Sequence, residues 1–138
     1  MINEIDKKII NMLYKDSSLS SDAIAKELDV NKGTIRNHLI KLKKFNIINN
    51  YTIRAKFYKL DMTEAIVGLA FYPENYMVAL NHLRSFDFVK EVYRTSGDHS
   101  AIAMVISNSE EIESDIKKIK DIKGVKDVYP SFVQELIK

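Results

Sequence analysis

The chain has 138 residues, enough for one ordinary domain or two small ones, and its 46% hydrophobic content can fill a packed core. With no cysteine it can form no disulfide, no cysteine-ligated metal site and no thiol nucleophile, and a 29% charged fraction near the globular average gives no sign of disorder. No apolar run approaches the ~20 residues of a membrane span, and MINEIDKKII lacks the basic segment and apolar core of a signal peptide, so a cytoplasmic protein with no membrane partner is expected.

Residues 4–15 read as a helix, with Ile5, Ile9, Met12 and Leu13 at helical spacing and Asp6 in the first turn, where the helix dipole favours an anion. The polar break Asp16-Ser17-Ser18 follows. Ser20 then caps a second helix whose inward residues are Ile24, Ala25 and Leu28. Asp29-Val30-Asn31 is a short turn, and Asn31 caps a third helix from Lys32 to Phe45. There Ile35, Leu39 and Leu42 fall at i, i+4 and i+7, which defines one buried face.

Two short helices, a three-residue turn and a basic third helix form a helix-turn-helix pattern. The buried face puts Gly33, Asn37, Lys41 and Lys44 opposite it, with Arg36, Ile40 and Lys43 on one flank. The N-terminal part of such a helix reaches base edges, so Lys32, Thr34, Arg36 and Asn37 are the expected base readers. Arg pairs with guanine and Asn with adenine through two hydrogen bonds each. Lys41, Lys43 and Lys44 are expected on phosphates, and His38 is nearer the core. Charge agrees: residues 1–54 carry ten Lys and Arg against six Asp and Glu, and no acidic residue occurs between Asp29 and Asp61. The run from Asn46 to Arg54 is β-rich at its ends with Asn49-Asn50 between. It predicts a short hairpin, the wing, with Arg54 and Lys56 near a flanking phosphate.

At these residues the chain resembles the N-terminal domain of the Lrp/AsnC family. The family pattern is met at Asp6, Ile9, Leu13, Ser20, Ile24, Ala25, Thr34, Ile35, Leu39, Leu42, Ile47, Ile48, Tyr51 and Thr52. Asp29, Asn46 and Asn50 stand where the pattern has glycines, all residues that tolerate positive φ, and His38 stands where it has arginine.

Downstream, residues 64–72 read as a strand apolar on both faces, ended by Pro73. Residues 75–85 read as a helix with Met77, Leu80 and Leu83 inward. Val89–Thr95 and His99–Ile106 read as strands around the turn Ser96-Gly97-Asp98. Asn108 and Glu111 have capping-box spacing before a helix carrying Ile112, Ile116 and Ile119. Gly124 ends that helix, and 125–136 form a last strand interrupted at Pro130. VKEVY at 89–93 recurs as VKDVY at 125–129, as two βαβ halves of one sheet would produce. The fold class is therefore α+β. A winged helix-turn-helix at 1–54 and a linker at 55–63 precede a βαββαβ ferredoxin-like domain at 64–138, whose apolar open sheet face calls for an intermolecular partner.

This half resembles the family's regulatory domain. The resemblance implies a sequence-specific transcription regulator that binds double-stranded DNA at pseudo-palindromic sites as a homodimer, or as a tetramer or octamer. It also implies an effector loop, here Ser96, Gly97, Asp98, His99 and Ser100, lining a small-molecule site. Ser100 replaces the family's second carboxylate and Ala101 its aromatic residue, so a different small ligand, or a turn with no ligand, stands beside an amino-acid effector. Two other functions share the architecture: a DNA-architectural protein with little sequence preference, and a tetrapyrrole enzyme like the sirohaem decarboxylases. Against the latter, His38, His82 and His99 match no metal spacing and no Ser/His/Asp signature is visible. No catalytic residue, metal or cofactor is expected.

Overall fold

The computed structural model describes Met1–Lys138, which divide into two compact units, Met1–Arg54 and Ala55–Lys138.

The first unit holds three helices, α1 (Glu4–Lys15), α2 (Ser21–Leu28) and α3 (Lys32–Lys44). Each begins at a side-chain cap. Asn3 and Asp6 form a reciprocal capping box, Ser20 accepts from the Ala23 amide, and Asn31 accepts from the Thr34 amide. Two helices end without glycine. Asp29 (φ 54°) and Asn46 (φ 57°) take the left-handed conformation. The following amides reach back five residues, Val30 to Ala25 and Ile47 to Leu42, closing Schellman motifs. Ile9, Leu13, Ile24, Ala25, Ile35 and Leu42 make the core, with Leu28 and Leu39 half-buried around it.

The wing hairpin does not form. Residues 49–56 carry no regular secondary structure and no ladder partner, and neither Asn49 nor Asn50 has the positive φ that a two-residue hairpin turn requires. Side chains hold the segment instead. The Lys43 ammonium lies 5.3 Å from the Tyr51 ring centroid. The Arg54 guanidinium packs 5.3 Å from the Tyr14 ring centroid and donates to its hydroxyl.

The second unit is a four-stranded antiparallel sheet in the order β2-β3-β1-β4, from β1 (Met62–Phe71), β2 (Val89–Arg94), β3 (Ala101–Asn108) and β4 (Val125–Phe132). Helices α4 (Tyr76–Ser85) and α5 (Ile112–Lys120) complete the βαββαβ order. The two VK(E/D)VY copies open the two edge strands. Ala65, Val67, Leu69 and Phe71 of β1 face the core with Leu80, Leu83, Ile112, Ile116 and Ile119. Asp115 on α5 is buried and accepts from the Ser107 hydroxyl on β3 at 2.6 Å.

Several expected details differ. Phe57–Leu60, expected within a linker, is a 3-10 turn set against β1, ended by Asp61 at φ 54°. Met77, expected inward, is exposed, and Ala79 is buried beside Leu80 and Leu83, close to Gly124. The Asn108–Glu111 box is not made: the Glu111 amide donates to the Asn108 carbonyl and α5 starts at Ile112 with no side-chain cap. β3 starts at Ala101, because Thr95 Oγ1 donates to the His99 carbonyl at 2.6 Å and the Ser100 amide to Leu69 at 3.0 Å, closing 95–100 as a loop. Pro130 does not interrupt β4. It pairs with Val67 on an edge strand, and the Val133 amide donates to Glu64 at 2.8 Å. Alternation therefore turns the Pro130 nitrogen, which has no hydrogen to give, to the free edge.

Candidate nucleic-acid interface

The cap at Asn31 and the buried triad of α3 orient this helix. Ile35, Leu42 and half-buried Leu39 face α1 and α2, so Gly33, Arg36, Asn37, Ile40, Lys43 and Lys44 are left to solvent. Arg36, Asn37 and Lys44 are exposed and form no hydrogen bond or ion pair within the chain, so their donors are free for a ligand. Lys43 is exposed over Tyr51. Lys32 reaches Asp22 at 3.1 Å in a solvent-exposed pair worth little. The Thr34 hydroxyl is bound to Asn31 Oδ1 at 3.1 Å, so its first role is in the cap. Arg54 is exposed, but it lies on Tyr14 of α1 and does not belong to the α3 face.

Lys41 departs from the expected phosphate contact. Its ammonium turns toward α1 and lies 2.6 Å from Asp6 Oδ2, and it also donates to the Met1 carbonyl at 2.9 Å. His38 Nδ1 lies 2.7 Å from the other oxygen, Asp6 Oδ1. Asp6 is fully buried, so α1 and α3 are joined by a carboxylate with both oxygens occupied. Burial works against its charge. The hydrogen bonds from Lys41, the Asn3 amide and His38, with the Lys41 charge, outweigh burial and hold the Asp6 carboxyl well below the usual carboxylate range. Sequence reasoning saw only Asp6 in a first turn. The signal that could have found the cluster is His38 and Lys41, three apart, turned toward the helix that carries Asp6.

The loop at 96–100 belongs to the second unit. Ser96, Gly97, Asp98 and Ser100 are exposed, and Gly97 (φ 109°) has open space around it. His99 folds back so closely on Gly68 that a Cβ there would meet the ring at 2.6 Å, and the ring lies 5.3 Å from that of Tyr129. Its Nδ1 is buried without a partner. No three His, Asp or Glu side chains are gathered to hold a metal ion, and no helix is long and apolar enough to cross a membrane.

Comparison with known proteins gives the context. A winged helix-turn-helix DNA-binding family matches residues 2–48. The HTH-type transcriptional regulator LrpA of Pyrococcus horikoshii is 36% identical over the full length of both chains. The structure of E. coli AsnC matches with a TM-score of 0.70 at 24% identity, covering 100% of this chain and 95% of that one. A Neisseria meningitidis transcriptional regulator, solved as a complex with L-methionine, shares the fold with a TM-score of 0.71 at 16% identity, covering 100% of this chain and 93% of that one. With helix-turn-helix and antiparallel sheet in the same order, and a regulator's sequence matched end to end, the chain belongs to the Lrp/AsnC family of DNA-binding transcription regulators.

Proposed function

We propose that the protein regulates transcription in the cytoplasm as a homodimer on a pseudo-palindromic operator, reading each half-site with α3. The observation that carries this is the outward face of α3, where Arg36, Asn37 and Lys44 have no partner within the chain. Arg36 and Asn37 supply base-edge recognition, and Lys43 and Lys44 the phosphate contacts that set register. Lys41 is left out of the phosphate set because Asp6 already holds it. Two-fold symmetry would space the half-sites by about 10 base pairs or a multiple of that.

The dimer reading rests on the open sheet face, where Ile66, Ile102, Met104, Tyr93 and Tyr129 stand on the side away from α4 and α5. Ile66 is 42% exposed, so Ile66→Lys should fold yet shift the protein toward a monomer in analytical ultracentrifugation. An unchanged mass would remove this face from the assembly. The loop at 96–100 is the place for a small-molecule effector, supported by the unpartnered His99 Nδ1 and by the L-methionine complex of a fold relative. With Ser100 where the family pattern has a carboxylate, a ligand's ammonium group would find only Asp98.

The DNA reading is tested by selecting from a random duplex library at two salt concentrations. Enrichment of a pseudo-palindrome is expected, whereas salt-dependent retention without a motif would indicate an architectural protein. On the selected site, Arg36→Ala should lose roughly 10- to 100-fold in affinity and relax one position. Lys44→Ala should weaken all sequences alike and lower the salt slope by about one.

A further inference from the structure

The recognition face proposed above contains one side chain that cannot hydrogen-bond. Ile40 is 64% exposed on α3 and is not packed against the helical core. Gly33, Arg36, Asn37 and Ile40 fall at i, i+3, i+4 and i+7, the spacing by which a helix lying along a groove presents one stripe. Ile40 is therefore not at the margin of the face. It is flanked by Arg36 and Asn37 one turn before it and by Lys43 and Lys44 one turn after. A β-branched apolar residue there leaves most of its surface exposed and is a poorer helix former than the lysines and Arg36 around it.

We propose that Ile40 reads thymine by contact with its C5-methyl group. In the major groove that methyl is the apolar feature that sets thymine apart from every other unmodified base edge. The neighbours divide the work: Arg36 and Asn37 offer donors and acceptors, and Ile40 supplies the apolar surface they lack. At 1.5 Å rise per residue, Ile40 lies about 6 Å along the helix from Arg36, or about two base steps. The thymine should fall about two positions from the base that Arg36 contacts, in each half-site. 5-Methylcytosine presents the same methyl and would be accepted at that position.

This inference rests on the DNA reading, and the experiment separates the two. The selected operator is resynthesised with each thymine in turn replaced by deoxyuridine, which removes only the methyl. For the wild-type protein, one symmetric pair of positions should lose about fourfold in affinity per half-site, the ordinary worth of one buried methyl. Ile40→Ala should bind thymine and deoxyuridine operators alike at that pair, with an unchanged unfolding temperature, since the side chain is exposed. Arg36→Ala should keep the thymine preference while binding more weakly. Equal binding of every deoxyuridine operator by the wild type would overturn the role of Ile40 and leave the DNA reading intact. So would discrimination that survives in Ile40→Ala, or an oligomeric mass altered by that substitution. Failure to retain any duplex would overturn both.

Discussion

Replacing Asp6 with asparagine is expected to cost the helical unit about 3 kcal/mol, near the lower end of the range for removing one partner of a buried ion pair, because His38 and Lys41 each keep some contact with solvent. The loss has three parts. Asparagine cannot accept on both oxygens, it leaves the Lys41 ammonium without its counter-charge, and it turns an amide toward the Asn3 backbone N–H that now donates to Oδ2 at 2.8 Å. Amide exchange across α1, α2 and α3 should accelerate by about two orders of magnitude, while exchange in the sheet unit stays as it was. The effect depends on pH in a defined direction. The folded carboxyl titrates below its value in the unfolded chain, so its stabilisation is complete above about pH 4 and is lost as pH falls through the folded value. Asp6→Asn should therefore remove most of the acid sensitivity of this unit. Removing all three partners together, with Asp6→Leu, His38→Leu and Lys41→Met, should recover much of the loss, since the penalty comes from stranded charge. A cost under about 0.5 kcal/mol for Asp6→Asn, the ordinary scatter of surface substitutions, would mean that the pair holds nothing together.

The second large effect is expected at Gly124, between α5 and β4. Its φ of 101° is rarely adopted by residues with a side chain, and its carbonyl accepts from the Tyr72 amide at 2.9 Å. An added Cβ would fall 2.4 Å from Asn75 Cβ and 3.3 Å from Ala79 Cβ, atoms bound directly to the backbone that cannot swing aside. Gly124→Ala should cost roughly 3 kcal/mol, backbone strain and overpacking together. The readout is denaturant unfolding, with faster exchange of the Tyr72 and Val125 amides. Gly97→Ala is the matched control. Its φ is 109°, but nothing lies within 4 Å of its added Cβ, so strain alone applies and about 1 kcal/mol is expected. Equal costs at the two glycines would show that the contact with Asn75 and Ala79 is unimportant.

The two halves differ in how they could be read from sequence. The helix-turn-helix was legible because its signals are local: Ser20 and Asn31 do cap α2 and α3, Asp29 and Asn46 do take positive φ, and Ile35 and Leu42 are buried. The sheet unit was legible in element order but less so in detail. On α4 it is Ala79, close to Gly124, that is buried and Met77 that is exposed, and apolarity within 76–85 does not tell the two apart. The wing failed for a similar reason: Tyr51 and Arg54 are held by Lys43 and Tyr14, partners 8 and 40 residues away. Of the expected phosphate contacts, Lys43 and Lys44 keep their exposure and Lys41 does not. A lysine at helical position 41 looks the same in sequence whether it faces solvent or a carboxylate on another helix.

The edges of the sheet carry one more consequence. On β4, Pro130 offers no hydrogen to an incoming strand. On β2, the register slips between Val89 and Glu91, with Lys90 exposed at the slip. Neither border is a good template for lateral growth, so fibril-like stacking of copies is disfavoured while the broad apolar face remains open. If the proposed homodimer forms through that face, a concentrated solution of this protein should saturate at a fixed particle size.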